Sequence, residues 1–382
     1  MTLRFLTAGE SHGKALVGIL EGMPAGLALT AADVQRDLLR RKKGHGRGNR
    51  QKIEGDLVEL LSGVRRGKTL GSPIALLVPN QDFKNWENIM GSEPSDAPAA
   101  RRVDVPRPGH ADLVGKIKYG FDDMRDVLER ASARETAMRV ALGAVARTFL
   151  SACGVVVASR VTAIGGEEDH TASPCAVKDL NALVDGDPVR SSNMDSSARM
   201  VARIDAAKAL GDTVGGVFEV LADGLPVGLG SYAQWDRRLE GPLTAALMAL
   251  NAIKGVEVGY GFGGARVFGS SVHDAYEPRG KKVGYRSNRS GGLDGGMTTG
   301  QTLVLRAGMK PISTLMTPLD SVDLRTMKPA KAHVERSDAC AVPAAAVIGE
   351  SLTALVLADA ILGKFGGDSM GELLPRLKAW RK

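Results

Sequence analysis

Two histidines on glycine-bounded loops are the side chains best suited to moving protons. His12 sits in GESHG (9–13), and His110 sits in RPGHAD (107–112), between Arg107 and Asp112. Histidine titrates near neutrality, and a loop histidine beside an arginine suits proton transfer to a phosphate ester. Taken alone, each motif reads better as a turn with a solvated or surface histidine; two such loops among six histidines carry more weight. Ser11 also makes GESHG a match to the G-x-S-x-G elbow of serine hydrolases. That elbow follows a strand and loop that supply an oxyanion donor, and the eight residues before Gly9 cannot hold them. A serine hydrolase using Ser11 therefore stays only as an alternative.

Around these lie groups that suit anions. RRKKGHGRGNRQK (40–52) carries Arg41 and Arg47 on a glycine-loosened backbone, and guanidinium forks pair with phosphate or carboxylate. RASARETAMR (130–139) puts Arg130, Ser132 and Arg134 at a predicted helix start, where free N–H groups favour phosphate. GGLDGGMTTG (291–300) precedes KPIST (310–314), a glycine-rich cradle with Lys310, Ser313 and Thr314 but without P-loop spacing. Gly259, Gly261 and Gly264 match G-x-G-x-x-G, yet the strand-like ARVFGSSV follows, which argues against a dinucleotide site. ERSDAC (335–340) supplies Arg336 and Asp338, and FGGDSM (365–370) places Asp368 just past a helix end.

The 382 residues carry 50 Lys and Arg against 43 Asp and Glu, a net charge of +7 that suits an acidic partner. Aromatics make up only 4%, which weakens a nucleic-acid reading built on stacking and leaves a basic nucleic-acid binder as a second alternative. Three scattered cysteines, none in a C-x-x-C spacing, indicate a reducing, cytoplasmic setting and no metal site. The apolar stretch 341–363 contains Pro343, Glu350 and Asp359, so it reads as a buried helix and not a membrane span.

These groups need a scaffold of mixed elements. Strands are expected at 3–9, 15–23, 53–63, 73–79, 154–164, 214–223, 256–260 and 302–309. Helices are expected at 31–43, 133–152, 198–210, 239–254 and 343–364. Thr30 with Asp33, and Ser132 with Glu135, read as capping boxes. Residues 79–110 read as a long surface loop. LEGMPAGL (20–27) and ADGLPVGL (222–229) each follow an apolar strand and precede a helix. The shared context implies a duplication: two halves, about 1–200 and 201–382, around a pseudo-twofold within one core. The fold class is α+β.

Together these motifs resemble the chorismate synthase family. GESHG, RRKKGHGRG, RPGHAD, RASARETAMR, GLPVGLGS, AIKGVEVG, RSNRSGGLDGG, KPIST, RSDACAVPAA and FGGDS stand in that family's order across the chain. Ala131 stands where many members have serine, and Tyr260 where many have aspartate. The resemblance implies a β-α-β sandwich with internal pseudosymmetry and a homotetramer. It implies an anti-1,4-elimination of phosphate from 5-enolpyruvylshikimate 3-phosphate, with reduced FMN and no net redox change. Arg130, Ala131, Ser132, Asn251, Ala252, Gly295, Lys310, Pro311, Ile312, Ser313, Thr314 and Arg336 match the family's FMN contacts. Arg41, Arg47, Arg107 and Arg134 are candidates for substrate, or for NADPH acting as an external reductant. The implied catalytic set is His12, His110 and Asp368, supported by Ser11 and Ser132. With no reductase segment in view, an external flavin reductase is the expected source of reduced flavin. Neither nucleic acid nor membrane is an expected partner.

Overall fold

A computed structural model describes residues 3–48, 53–94, 100–335 and 337–381. Period-two burial marks the first sheet. Leu16 and Leu20 of β2 (Ala15–Glu21) and Ile74, Leu76 and Val78 of β6 (Ile74–Pro79) point inward. The sheet runs β1-β2-β6-β3, with β1 at Arg4–Ala8 and β3 at Glu59–Leu60. A second antiparallel sheet runs β10-β15-β9-β7-β8. Its strands are β7 (Val156–Ile164), β8 (Glu167–Glu168), β9 (Gly216–Asp223), β10 (Ile253–Val258) and β15 (Leu303–Met309). Hairpins complete the strands: β4 (Val64–Arg65) with β5 (Lys68–Thr69), β11 (Tyr276–Arg279) with β12 (Lys282–Tyr285), β13 (Leu293–Asp294) with β14 (Met297–Thr298), and β16 (Asp320–Asp323) with β17 (Lys328–Lys331).

Helices α1 (Ala31–Lys42), α5 (Thr136–Ala152), α8 (Glu240–Met248) and α9 (Val342–Phe365) form the layer between the sheets. Further helices among the described residues are α2 (Glu87–Met90), α3 (Asp112–Tyr119), α4 (Arg125–Ala131), α6 (Val177–Val184), α7 (Met194–Ala209) and α10 (Met370–Trp380). Helix α5 packs on β2 and β6, and α9 packs on β7 and β9, which gives a β-α-β sandwich. One buried apolar cluster runs from Leu3 to Leu377 through both sheets and all four central helices. Gly143 lets α5 and α9 touch, because a Cβ there would lie 2.3 Å from the Ser351 Cβ. Among the described residues α9 alone is long and apolar enough to cross a membrane, and 83% of its most apolar window is buried. Its carboxylate Glu350 is fully buried and meets Arg40 of α1, Arg147 of α5, Arg190, and Ser159 of β7.

The two echoed segments fold into turns held by matching hydrogen bonds. Thr69 Oγ1 donates to Pro24 O at 2.6 Å and accepts from Leu27 N at 2.9 Å. Thr298 Oγ1 donates to Pro226 O at 2.7 Å and accepts from Leu229 N at 2.8 Å. Gly26 and Gly228 both take positive φ, +87° and +81°. Leu29 N then donates to Gly67 O ahead of α1, as Leu239 N donates to Gly296 O ahead of α8. Each threonine is buried, so Thr69→Val and Thr298→Val should each cost about 1–3 kcal/mol in urea unfolding, by similar amounts. A large cost at one and none at the other would contradict their equivalence.

Several expectations need correction. Residues 53–63 form only the two-residue β3, because Asp56 takes φ +50° and turns toward the arginines. Residues 79–110 are not simply surface: they contain a 3-10 turn at Gln81–Asn85, helix α2, and the buried Asn80, Asp82, Trp86 and Val103. Ser132 makes no capping box; Glu135 instead binds Thr7 Oγ1 at 2.7 Å and Arg139 at 2.9 Å. The helix proposed for 239–254 stops at Met248 and gives way to β10. Residues 261–271 hold 3-10 turns rather than a strand.

Candidate active site

The N-termini of α5 and α9 and the C-terminal ends of α1 and α8 converge on a cleft of about 430 Å³. Two helix N-termini aimed at one space present free N–H groups and a positive potential. The lining then adds Arg41 and Arg47, with Arg107 and His110 at one side and Arg134 at another.

Arg41 is buried. It donates from Nη2 to Ala133 O at 3.0 Å and to Thr136 Oγ1 at 2.9 Å. Burial, together with Arg47 and Arg134 close by, pulls its guanidinium down to about 10 against the attraction of Asp56. Arg47 Nη1 lies 3.0 Å from Asp338 Oδ2, and Gly48 N donates to the other Asp338 oxygen at 2.6 Å. Arg47 Nε is buried without a hydrogen-bond partner among the described residues, and Arg41 Nη1 makes no hydrogen bond, only a longer ion pair to Asp56 Oδ2 at 3.6 Å. Such donors are costly to bury unmet, so the cleft is built to receive an acceptor. Arg134 binds Asn80 Oδ1 at 2.9 Å and pairs with Asp56.

Arg107, His110 and Asp112 form one cluster. Asp112 is fully buried and receives Arg107 Nε at 2.8 Å and Arg107 Nη2 at 3.0 Å. His110 Nδ1 lies 2.6 Å from Asp112 Oδ1, a contact made by an Nδ1–H donor. Burial alone would raise the Asp112 carboxyl, but the bonds from His110 and Arg107 hold it well below the usual carboxylate range. Arg107 Nη1 also donates to Thr314 Oγ1 at 2.9 Å, and Lys310 Nζ donates to Gly109 O at 2.8 Å. The 107–112 turn is thereby latched to KPIST.

On the facing wall, His12 is buried and its ring stacks on Trp86, with centroids 3.8 Å apart. Ser11 Oγ donates to Ser132 Oγ at 3.0 Å. The GESHG turn leads from β1 into β2, not into a helix, so it is not a nucleophile elbow. Leu250, Met309, Ile312 and Ile348 give an apolar surface beside Asn251 and Ala252. Asn251 Nδ2 donates to Ala131 O at 3.1 Å, joining the two walls. Ala252 holds φ +67° and its carbonyl accepts Lys310 N at 2.9 Å, which fixes the start of KPIST.

Most residues singled out from the sequence therefore meet here: Ser11, His12, Ala131 and Ser132; Asn251, Ala252 and the whole run Lys310, Pro311, Ile312, Ser313 and Thr314; and the four arginines with His110. Three do not line the cleft. Arg130 turns away and ties Gly9 O and Thr7 O to α4, each at 2.9 Å. Gly295 forms the β13–β14 turn near the start of α8, at the far end from Asn251. Asp368 follows the C-terminal end of α9, about 25 Å of helix beyond Ile348. Arg336 lies outside the described residues. Sequence reasoning assigns no role to Asp338, Glu129 or Trp86. Asp338 is visible in ERSDAC; the other two carry no local signal and are found only through their contact with His12.

Fold and cleft together define an enzyme for a polyanionic substrate, built as a duplicated β-α-β sandwich. A family model described as chorismate synthase matches residues 3–362. A chorismate synthase of Chlorobium luteolum is 50% identical over 388 aligned residues, covering 100% of this chain and 98% of that protein. One from Thermobifida fusca is 52% identical, covering 99% and 98%. A solved structure, "Crystal Structure of Chorismate Synthase", superposes with a TM-score of 0.80 at 41% identity, covering 100% of this chain and 98% of that one. The chain belongs to the chorismate synthase family. Its activity is that of a lyase that eliminates phosphate from 5-enolpyruvylshikimate 3-phosphate to give chorismate, in the shikimate pathway of aromatic biosynthesis.

Proposed function

We propose that this elimination takes place in the cleft, with His110 protonating the departing phosphate and His12 managing a proton on the opposite wall. The observation that carries the assignment is the Asp112–His110–Arg107 cluster beside the unmet donors of Arg41 and Arg47. Nδ1 of His110 is committed to Asp112, so Nε2 is the nitrogen that serves the substrate. The substrate bears two carboxylates and a phosphate. Arg41, Arg47, Arg107 and Arg134 supply matching cations, which favours substrate over NADPH as their ligand; NADPH then acts only outside this site.

The residues fit reduced FMN. The apolar surface of Leu250, Met309, Ile312 and Ile348 suits a flat ring system, and Lys310, Ser313 and Thr314 beside it suit a phosphate. When bound, reduced FMN supplies transient electron density to the substrate as the phosphate leaves. Ala131, Ser132, Asn251 and Ala252 would border it. The carboxylate that helps take the ring proton is Asp338 and not Asp368, because Asp338 lines the cleft. The chain is read as one domain of two halves, about 1–200 and 201–382, working in the cytoplasm as a homotetramer fed by an external flavin reductase. Leu6 and Ile19 pair across β1 and β2 on the first sheet and are exposed, which supports burial against another copy.

Anaerobic assay of the purified chain with substrate and reduced FMN tests this reading. Chorismate absorbance should rise only when both are present. No product under those conditions overturns it.

A further inference from the structure

We infer that Glu129 is a positioning residue for His12: it clamps the turn and the ring so that one nitrogen, Nε2, is left for the cleft. The inference rests on the reading of His12 as a working residue of this site. Glu129 is only 1% exposed and belongs to α4. Its Oε2 accepts the His12 backbone N–H at 2.7 Å. Its two oxygens lie 2.9 and 3.0 Å from the ring Nδ1. Its backbone carbonyl accepts Ser11 N at 2.9 Å. One residue thus fixes the position of the turn, the rotation of the ring and the tautomer. Trp86 closes the remaining freedom by lying flat on the ring, tilted by 15°.

The charges around this pair are laid out in a row. Arg125 Nη1 stands 3.4 Å from Glu129 Oε1 and 2.9 Å from Glu335 Oε1, and Glu335 meets His333 Nε2 at 3.0 Å. Arg101 lies over the Trp86 ring at 4.0 Å, and Arg125 approaches it at 5.3 Å. Burial would raise the Glu129 carboxyl, but His12 and then Arg125 hold it below its ordinary value. An ionised carboxylate against Nδ1 accepts the ring N–H and orients the imidazole, and Arg125 helps keep that carboxylate ionised. His110 is held through the same nitrogen by Asp112. Each working histidine of the cleft therefore has its own buried carboxylate.

A double-mutant cycle on the full chain tests the inference, using wild type, Glu129→Gln, His12→Ala and the double variant, with excess reduced FMN. Glu129→Gln should lower kcat at least about tenfold, move KM less than about threefold, and shift the pH profile of kcat. In the His12→Ala background the same change should cost almost nothing, since its effect passes through the imidazole. Equal losses in both backgrounds would overturn the positioning role. A His12→Ala variant with near-parental rate would overturn the reading of His12 instead, so the two failures are distinguishable. If Glu129→Gln does not fold, Glu129→Asp, which keeps the charge but withdraws it by one methylene, carries the same cycle with the same criteria.

Discussion

Replacing Glu350 by alanine is expected to destabilise the fold by about 3–5 kcal/mol, because it strands three arginines around a buried vacancy. Arg40 reaches the carboxylate with both terminal nitrogens at 2.8 Å, Arg147 at 3.0 Å and Arg190 at 3.2 Å. Ser159 Oγ adds a bond at 2.6 Å. These partners come from α1, α5, β7 and the loop before α7, so the carboxylate joins elements of both halves. Chemical denaturation measures the loss; a cost under about 1 kcal/mol, the scale of a single ordinary hydrogen bond, would mean that the arginines find other partners. The acid side follows by linkage. Burial opposes ionisation, yet Arg40, Arg147 and Arg190 bring the Glu350 carboxyl from its ordinary 4.5 down to about 2. Its folded value lies below its unfolded one. The stabilisation is therefore complete above about pH 4.5 and is lost as pH falls toward 2. The variant should show a flatter loss of stability with acid than the parent.

Replacing His110 by alanine is expected to cut turnover by about 10²–10⁴-fold while the melting temperature stays near that of the parent. The side chain is one-fifth exposed, so its removal opens no large internal void. Asp112 keeps its three bonds from Arg107, so the buried carboxylate is not orphaned. Loss of both activity and folding would instead make the histidine a strut of the 107–112 turn. A near-parental rate with excess reduced FMN would remove it from the chemistry. Asp112→Asn gives an independent check. It should slow turnover and change its pH dependence, because it removes the charge that Nδ1 donates to.

Much of the fold and of the site is legible in the residues alone, and what separates the legible from the hidden is physical. Short-range chemistry is legible. The capping box of Thr30 and Asp33 forms as expected, with Thr30 N bonded to Asp33 Oδ2 at 2.9 Å. The apolar run 341–363 is the buried α9. The echo of 20–27 in 222–229 corresponds to two turns held by the same threonine hydrogen bonds. What stays hidden depends on partners far away in the chain. Nothing near Glu129 announces that His12, 117 residues earlier, binds it. The threonines that complete the repeated turn sit 45 and 72 residues from the prolines they bind. Asp368 looks suitable because it is polar and follows a glycine turn. Only the length of α9 separates it from the cleft, whereas Asp338 precedes that same helix at the correct end.

The convergence of corresponding helix ends on the cleft bears on how such a site could arise. If each half descends from one ancestral chain, that ancestor could have paired with itself, and a pocket on the symmetry axis would have received every side chain twice. Two identical copies cannot supply an acid on one wall and a different group on the other. A single chain carries no such restriction. Here residues before position 200 supply both cleft histidines, while residues after it supply Lys310, the rest of KPIST and Asp338. The side chains at the cleft are lopsided within a frame of matched helix ends, and a single continuous chain is what permits that division of labour.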